Sequence, residues 1–274
     1  MSVLVTVLSL STLAAMLAAL VVLADYKLND YGVCQIDINN GSRILEIKGG
    51  MSLLSSLANQ KIFIPSACGG KATCGLCKVT LMDNAGPVLP TEEPYLSEAE
   101  MEQGVRLACQ LKVKKDLKIA IPEEFFNVKQ YRTRVQRITQ LTHDIKEFQL
   151  KLIEPKTIEF KAGQYVQVDS KPYGDITEAV SRAYSISSVP SEEDLIELII
   201  RHVPGGVCTT FLHEHVKEGD EITFAGPFGD FYLHEGGDEL IFIAGGSGLA
   251  PIRSLVLDIM GLCYNSGHDD KIVL

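Results

Sequence analysis

The sequence predicts an α+β multidomain chain: a transmembrane helix, a small mixed domain around a cysteine-rich loop, an antiparallel β-barrel, and an incomplete α/β domain. Three observations predict it. Residues 2–24 carry no charged side chain. Cys68, Cys74 and Cys77 crowd one glycine-rich stretch. A series of short alternating segments then gives way to one apolar run that enters a second glycine-rich turn, the order of an antiparallel domain followed by a βα unit.

A chain of 274 residues exceeds one small domain. Its net charge of -10, with no basic run, argues against nucleic-acid binding, which needs clustered Lys and Arg on phosphates. Residues 32–122 hold ten basic and nine acidic side chains, whereas 123–237 hold twelve and nineteen. That shift predicts a boundary near residue 122. The seven cysteines are an odd number with three tightly grouped, which is a poor disulfide framework. Cys34, Cys208 and Cys263 read as small buried hydrophobes.

A helix over 2–24 is about 34 Å long, enough for a hydrocarbon core of about 30 Å. It is apolar all round, unlike a surface helix, and no Lys or Arg precedes Lys27 as a signal peptide requires. Residues 1–31 are therefore read as a membrane anchor and linker. Ser11, Ala15 and Ala19 share one helical face, where small residues permit close approach of another helix.

Residues 32–122 begin with strands Cys34–Asn39 and Arg43–Lys48, joined by the turn signal Asn40-Gly41. A short helix over Ser52–Asn59, a strand over 78–82, a capping box from Ser97 to Glu100 and a strand over Val105–Val113 follow. Cys68, Cys74 and Cys77 on one irregular loop, with Cys109 from the distant strand, can surround an Fe₂S₂ core. Gly69, Gly70 and Gly75 let the backbone bend close and present N–H groups to the sulfurs. Zinc is the competing ligand, but zinc knuckles usually pair two Cys-x-x-Cys units and only one exists here.

Residues 123–237 read as an antiparallel barrel with three notable pieces. In Arg182-Ala183-Tyr184-Ser185, an extended stretch points Arg182 and Tyr184 to one face. Arg can hold a phosphate bidentately and Tyr offers a flat apolar surface. In Gly205-Gly206-Val207-Cys208-Thr209-Thr210, a glycine pair enters a short helix capped by Thr209 or Thr210, a place where backbone N–H groups bind phosphate. Gly226-Pro227-Phe228-Gly229-Asp230-Phe231 is a tight turn.

Residues 238–274 open with an apolar strand, Leu240–Ala244. It runs into Gly245-Gly246-Ser247-Gly248-Leu249-Ala250-Pro251 and a helix from Ile252 to about Met260. Strand, glycine turn and helix is the geometry for a dinucleotide phosphate, and Pro251 suits a first helical turn. Lys271–Leu274 reads as a second parallel strand. One βαβ unit cannot cover both faces of a parallel sheet, so the chain is read as a fragment of a longer protein.

The cysteine pattern Cys-x₅-Cys-x₂-Cys with Leu107-Ala108-Cys109-Gln110 resembles the 2Fe–2S ferredoxin domain, a β-grasp fold. The five-residue gap departs from the four of plant-type modules. The three barrel pieces and the glycine loop resemble the ferredoxin–NADP reductase superfamily. That resemblance implies FAD held by Arg182, Tyr184, Ser185, Gly205, Gly206 and Thr209, with Tyr184 stacked on the flavin ring and the Ser185 hydroxyl facing its reactive nitrogen. It implies NADH at Gly245, Gly246, Ser247 and Gly248, and a cluster on Cys68, Cys74, Cys77 and Cys109. The superfamily's later Cys-Gly motif is missing.

The complete order resembles the family of F subunits of sodium-translocating NADH:quinone oxidoreductases. One departure is the short stretch from Gln164 to Arg182, where that family carries a long insertion. The resemblance implies an electron-input subunit passing electrons from NADH through FAD and the cluster to membrane electron-acceptor subunits of a quinone reductase. It implies a single-pass protein of the inner membrane with its folded domains in the cytoplasm. A monooxygenase reductase component, or a carrier without a working NADH site, are the alternatives.

Overall fold

The computed structural model describes residues 2–28, 31–83, 86–234 and 240–266. Helix α1 covers Ser2–Leu28. Its Val5–Leu23 span has a mean hydropathy of 2.3 and none of it is buried against the rest of the chain. By length and composition this helix can cross a membrane.

Contacts divide the chain into two compact units: residues 1–56 with 78–121, and residues 57–77 with 122 onward. In the first unit, β1 (Val33–Ile38), β2 (Arg43–Lys48), β3 (Lys78–Leu81), β4 (Val105–Leu107) and β5 (Leu117–Ala120) form one sheet in the order β2-β1-β5-β3-β4. β1 runs parallel to β5 and the other pairs are antiparallel. The predicted β1–β2 hairpin is present. Asn39, Asn40 and Gly41 all take positive φ, and Gly41 N–H donates to Asp37 Oδ1 at 2.6 Å. Helix α2 (Leu53–Asn59) buries Leu53 and Leu57, and Ser97 caps α3 (Glu98–Glu102) with the expected reciprocal bonds to Glu100. The strand expected over Val105–Val113 ends at Leu107. There the N–H groups of Gln110 and Leu111 turn back to the Leu107 carbonyl, so Cys109 sits on a tight turn.

Ahead of that turn lies a buried ion pair. Arg106 Nη2 donates to Glu92 Oε2 at 2.5 Å, with the side chains 5% and 0% exposed. The Glu92 carboxylate also accepts N–H donors from Leu89 and Leu107 at 3.0 and 2.8 Å. Burial pushes the Glu92 carboxyl up, but these donors outweigh it and hold its pKa below the ordinary value.

In the second unit, β6 (Lys129–Gln140), β7 (Ile145–Glu154), β8 (Tyr165–Asp169), β9 (Ser181–Ser185), β10 (Leu195–Arg201) and β11 (Glu221–Phe228) form an antiparallel sheet in the order β10-β7-β6-β11-β8-β9. A bridge from Ile186, just past β9, to Leu198 of β10 nearly closes it into a barrel. The interior is filled by Phe148, Leu150, Val166, Ile196, Leu198 and Phe224. Alternating strand positions deliver these side chains to one face. Helix α4 (Val207–Thr210) and a following π-turn cover one end with Phe211 and Leu212.

Leu240–Ala244 does not form the expected strand. Ile241 and Ile243 are 79% and 89% exposed. An apolar strand needs neighbours for its backbone groups and helices on its faces, and no neighbour pairs with it among the described residues. Lys271–Leu274 lies outside the described residues. Helix α5 (Leu249–Ser266) starts earlier and runs longer than expected, with Pro251 in its first turn. Cys34 and Cys208 are buried as expected, while the side chain of Cys263 lies outside the described residues.

Candidate functional site

The loop at 66–77 is shaped by left-handed backbone. Gly69, Gly70, Ala72 and Gly75 have φ of 64°, 84°, 54° and 68°. This curl brings Cys74 Sγ to 3.4 Å from Cys68 Sγ. Burial raises the Cys68 pKa, but N–H groups of Thr73 and Lys71 and the Cys74 thiol outweigh it and lower it to about 7. A site that stabilises a thiolate through backbone donors suits an iron–sulfur cluster. Cys77 is buried at the end of this loop, and Cys109 lies on the turn in the first unit. Among the described residues, no three Cys, His, Asp or Glu side chains converge on one metal ion.

The same loop packs on β8 and β9 within the second unit. A Cβ at Gly69 would overlap Arg182 Nη1 and lie 2.5 Å from the Ser181 carbonyl. One strand over, the Gln167 amide pairs with both backbone groups of Ser66: its nitrogen donates to the carbonyl and its oxygen accepts from N–H, each at 3.1 Å. Gln167 and Arg182 thus meet the loop from adjacent strands, whose register sets Ala183 opposite Gln167 and Arg182 opposite Val168.

Arg182, Tyr184 and Ser185 all lie on β9, half-buried, with Arg182 Nη1 donating to the Ser181 carbonyl at 2.7 Å. Tyr184 packs against the barrel core, with its buried hydroxyl beside the Cys208 thiol. Burial first, then the neighbouring Cys208, push its pKa up. Tyr165 on β8 stacks on Phe228 at 5.6 Å, and burial, Cys74 and Asp230 raise its pKa to about 12. Tyr165, Gln164, Leu76 and Phe231 line a cleft of about 1130 Å³.

At α4 the expectation of a Thr209 or Thr210 cap fails. Gly206 is the N-cap residue, no side chain caps the helix, and Thr209 and Thr210 lie inside it. Thr209 Oγ1 turns back instead to accept Val203 N–H at 3.2 Å, because a residue inside the first turn faces the preceding loop. A Cβ at Gly206 would stand 2.6 Å from that hydroxyl, whereas at Gly205, with φ of 73°, it would meet nothing within 4 Å. The open backbone at Gly205 leaves room for a phosphate to approach.

Gly245, Gly246, Ser247 and Gly248 form the turn into α5, and a Cβ at any of the three glycines would meet nothing within 4 Å. Behind this turn, Arg253 Nη1 donates to Glu197 Oε2 at 2.6 Å and to the Ser187 carbonyl at 3.0 Å. Ser254 Oγ donates to the Ser188 carbonyl at 2.6 Å. Arg253, Glu197 and Gln167 escaped the sequence reading because no local motif marks them. A charged residue inside the apolar run Leu195–Arg201 was the one available signal for Glu197.

Residues 36–114 match the 2Fe-2S iron-sulfur cluster binding domain family, and 132–232 match the oxidoreductase FAD-binding domain family. The chain is thus an iron–sulfur flavoprotein oxidoreductase of the ferredoxin reductase-like fold. A cytochrome P450 reductase of Amycolatopsis is 27% identical with a TM-score of 0.60, over 83% of this chain and 68% of that one. The ferredoxin reductase in carbazole 1,9a-dioxygenase is 26% identical with a TM-score of 0.58, over 82% and 70%. The F subunit of the Na(+)-translocating NADH-quinone reductase of Histophilus somni (strain 129Pt) is 35% identical over 88% of this chain and 68% of its own length. Its counterpart in Neisseria meningitidis (strain MC58) is 33% identical over 94% and 72%. The chain belongs to the family of these F subunits.

Proposed function

We propose that this chain is the electron-input subunit of a membrane-bound quinone reductase, taking electrons from NADH and delivering them to membrane acceptor subunits. FAD would convert the two-electron hydride of NADH into single electrons for the 2Fe–2S cluster. Arg182 would hold the flavin phosphate, and Gly205, Gly206 and Thr209 would form the pyrophosphate turn. Tyr184 would present its ring to the flavin and Ser185 its hydroxyl. Cys68, Cys74, Cys77 and Cys109 would supply four thiolates to the iron. Gly245, Gly246, Ser247 and Gly248 would receive the nucleotide. The reading places α1 across the inner membrane as a single anchor, with the folded units on the cytoplasmic side where NADH and FAD are found.

The observation that supports this reading most strongly is the close approach of Gly69 to Arg182 and Ser181. It sets the cysteine loop against the strand that carries Arg182, Tyr184 and Ser185, a short path for an electron. An anaerobic visible spectrum of the detergent-purified chain tests it. Flavin and iron–sulfur bands that bleach with NADH are expected. Bands that bleach only with dithionite would point to a carrier without a working NADH site. A colourless chain after cofactor reconstitution would refute the reading. The solved relatives that serve a P450 and a dioxygenase favour a second reading, an oxygenase reductase. Co-purification separates the two: quinone-reductase subunits support the first, an oxygenase the second.

A further inference from the structure

We propose that Gln110, held in place by Thr91, tunes the reduction potential of the cluster by donating a hydrogen bond to the Cys109 sulfur. The inference rests on the reading of Cys109 as a cluster ligand. Gln110 Nε2 lies 3.7 Å from Cys109 Sγ, within reach of an N–H···S bond. The amide makes a second hydrogen bond at its other end. Its oxygen accepts from Thr91 Oγ1 at 2.9 Å, which directs the NH₂ end toward the sulfur.

The surrounding packing holds both partners in register. Thr91 is followed by Glu92, whose buried carboxylate grips Arg106 and the Leu107 N–H on the approach to the cysteine. One dipeptide, Thr91-Glu92, therefore fixes the chain just before Cys109 through its carboxylate and just after it through its hydroxyl. Gln110 is half-buried, as is Cys109, so the amide-to-sulfur contact is partly shielded from water. A fixed amide presents its partial positive charge in one direction and needs no reorganisation.

The sign of the effect follows from charge. The cluster gains one electron on reduction, and the negative charge on its sulfurs rises. A donor to a ligand sulfur stabilises the reduced form more than the oxidised form and raises the potential. Gln110 thus makes the cluster a better acceptor of single electrons.

The test is an EPR-monitored redox titration of the full chain in detergent. Gln110→Leu keeps the volume and removes the donor. It is expected to lower the one-electron reduction equilibrium on the order of tenfold, about 59 mV. Thr91→Val leaves the amide in place but unanchored and is expected to lower the equilibrium about threefold. Thr91→Ser, which keeps the hydroxyl, should restore the wild-type value. A Gln110→Leu potential equal to or above wild type overturns the proposal. A Thr91→Val potential equal to wild type overturns the anchoring role, and should Gln110→Leu fail to hold a cluster, Thr91→Val decides alone. A wild-type chain giving no 2Fe–2S signal on reduction is a different failure, that of the ligand reading itself.

Discussion

Two glycine-rich loops carry the expected cofactor chemistry, and they differ in what surrounds them. At 66–77 the backbone is pressed against a strand, and a Cβ on Gly69 would collide with Arg182. At 245–248 a Cβ on any of the glycines would meet nothing within 4 Å among the described residues. The supports differ as well. The Glu92–Arg106 pair near Cys109 is fully buried, while the Arg253–Glu197 pair behind the second loop leaves Arg253 a third exposed. In the first loop Gly69 is required by packing within the folded chain. In the second no such packing demand acts on the glycines among the described residues, which leaves the proposed nucleotide site as their reason. Similar composition thus reflects two physical requirements, and substitution separates them.

The largest effect is expected at the buried pair. Glu92→Ala removes the carboxylate that faces the buried Arg106 guanidinium and should cost about 3–5 kcal/mol. A urea melt of the first unit's strands, followed by circular dichroism, measures it; a cost under about 1 kcal/mol would remove the pair from its supporting role. The pair also predicts acid sensitivity. A carboxyl whose pKa is held down by folding adds stability above its unfolded value near about 4.3, and loses it as pH falls through the folded value. The wild-type chain should therefore lose stability below about pH 4 more steeply than Glu92→Gln, which has no carboxyl there to titrate.

Gly69→Ala comes next. The residue sits at φ of 64° and its new methyl would overlap Arg182, so a cost of roughly 1–3 kcal/mol and a loss of bound iron are expected. Iron content and the melting midpoint read the two effects separately. Unchanged iron and stability would mean that the loop does not pack on β9 as described.

Arg253→Ala should have a smaller effect, roughly 1–2 kcal/mol, because the arginine is partly exposed and its lost bonds are shared with water. Its clearer signature is expected in NADH-dependent bleaching, which should slow while dithionite bleaching stays unchanged. Gly248→Ala is expected to be smallest in stability, within about 0.5 kcal/mol, since nothing blocks the methyl. It should nevertheless weaken NADH-dependent bleaching. Normal NADH response in Gly248→Ala would remove this loop from nucleotide binding.

Local patterns made much of the architecture legible. The uncharged stretch 2–24, the Asn40-Gly41 hairpin and the Ser97–Glu100 cap depend on neighbours in the chain, and each formed as expected. The barrel strands were legible for the same reason, because side chains that alternate along a strand alternate between core and solvent. The misses have different causes. The strand through Cys109 yielded to a turn closed by Gln110 and Leu111 N–H on the Leu107 carbonyl, and the cap moved to Gly206 while Thr209 accepted the nearby Val203 N–H. Leu240–Ala244 has no strand partner among the described residues.

The sequence alone determined the order of the segments and the two cofactor-domain families, and it nominated the thiolate donors and the cofactor glycines, because these follow from residue chemistry and spacing. Only the tertiary structure decided that Gly69 meets Arg182, that Gln167 pairs with Ser66, and that Thr91 turns the Gln110 amide toward Cys109. Such contacts join residues far apart in the chain. Their geometry depends on strand register and packing, which no local pattern encodes.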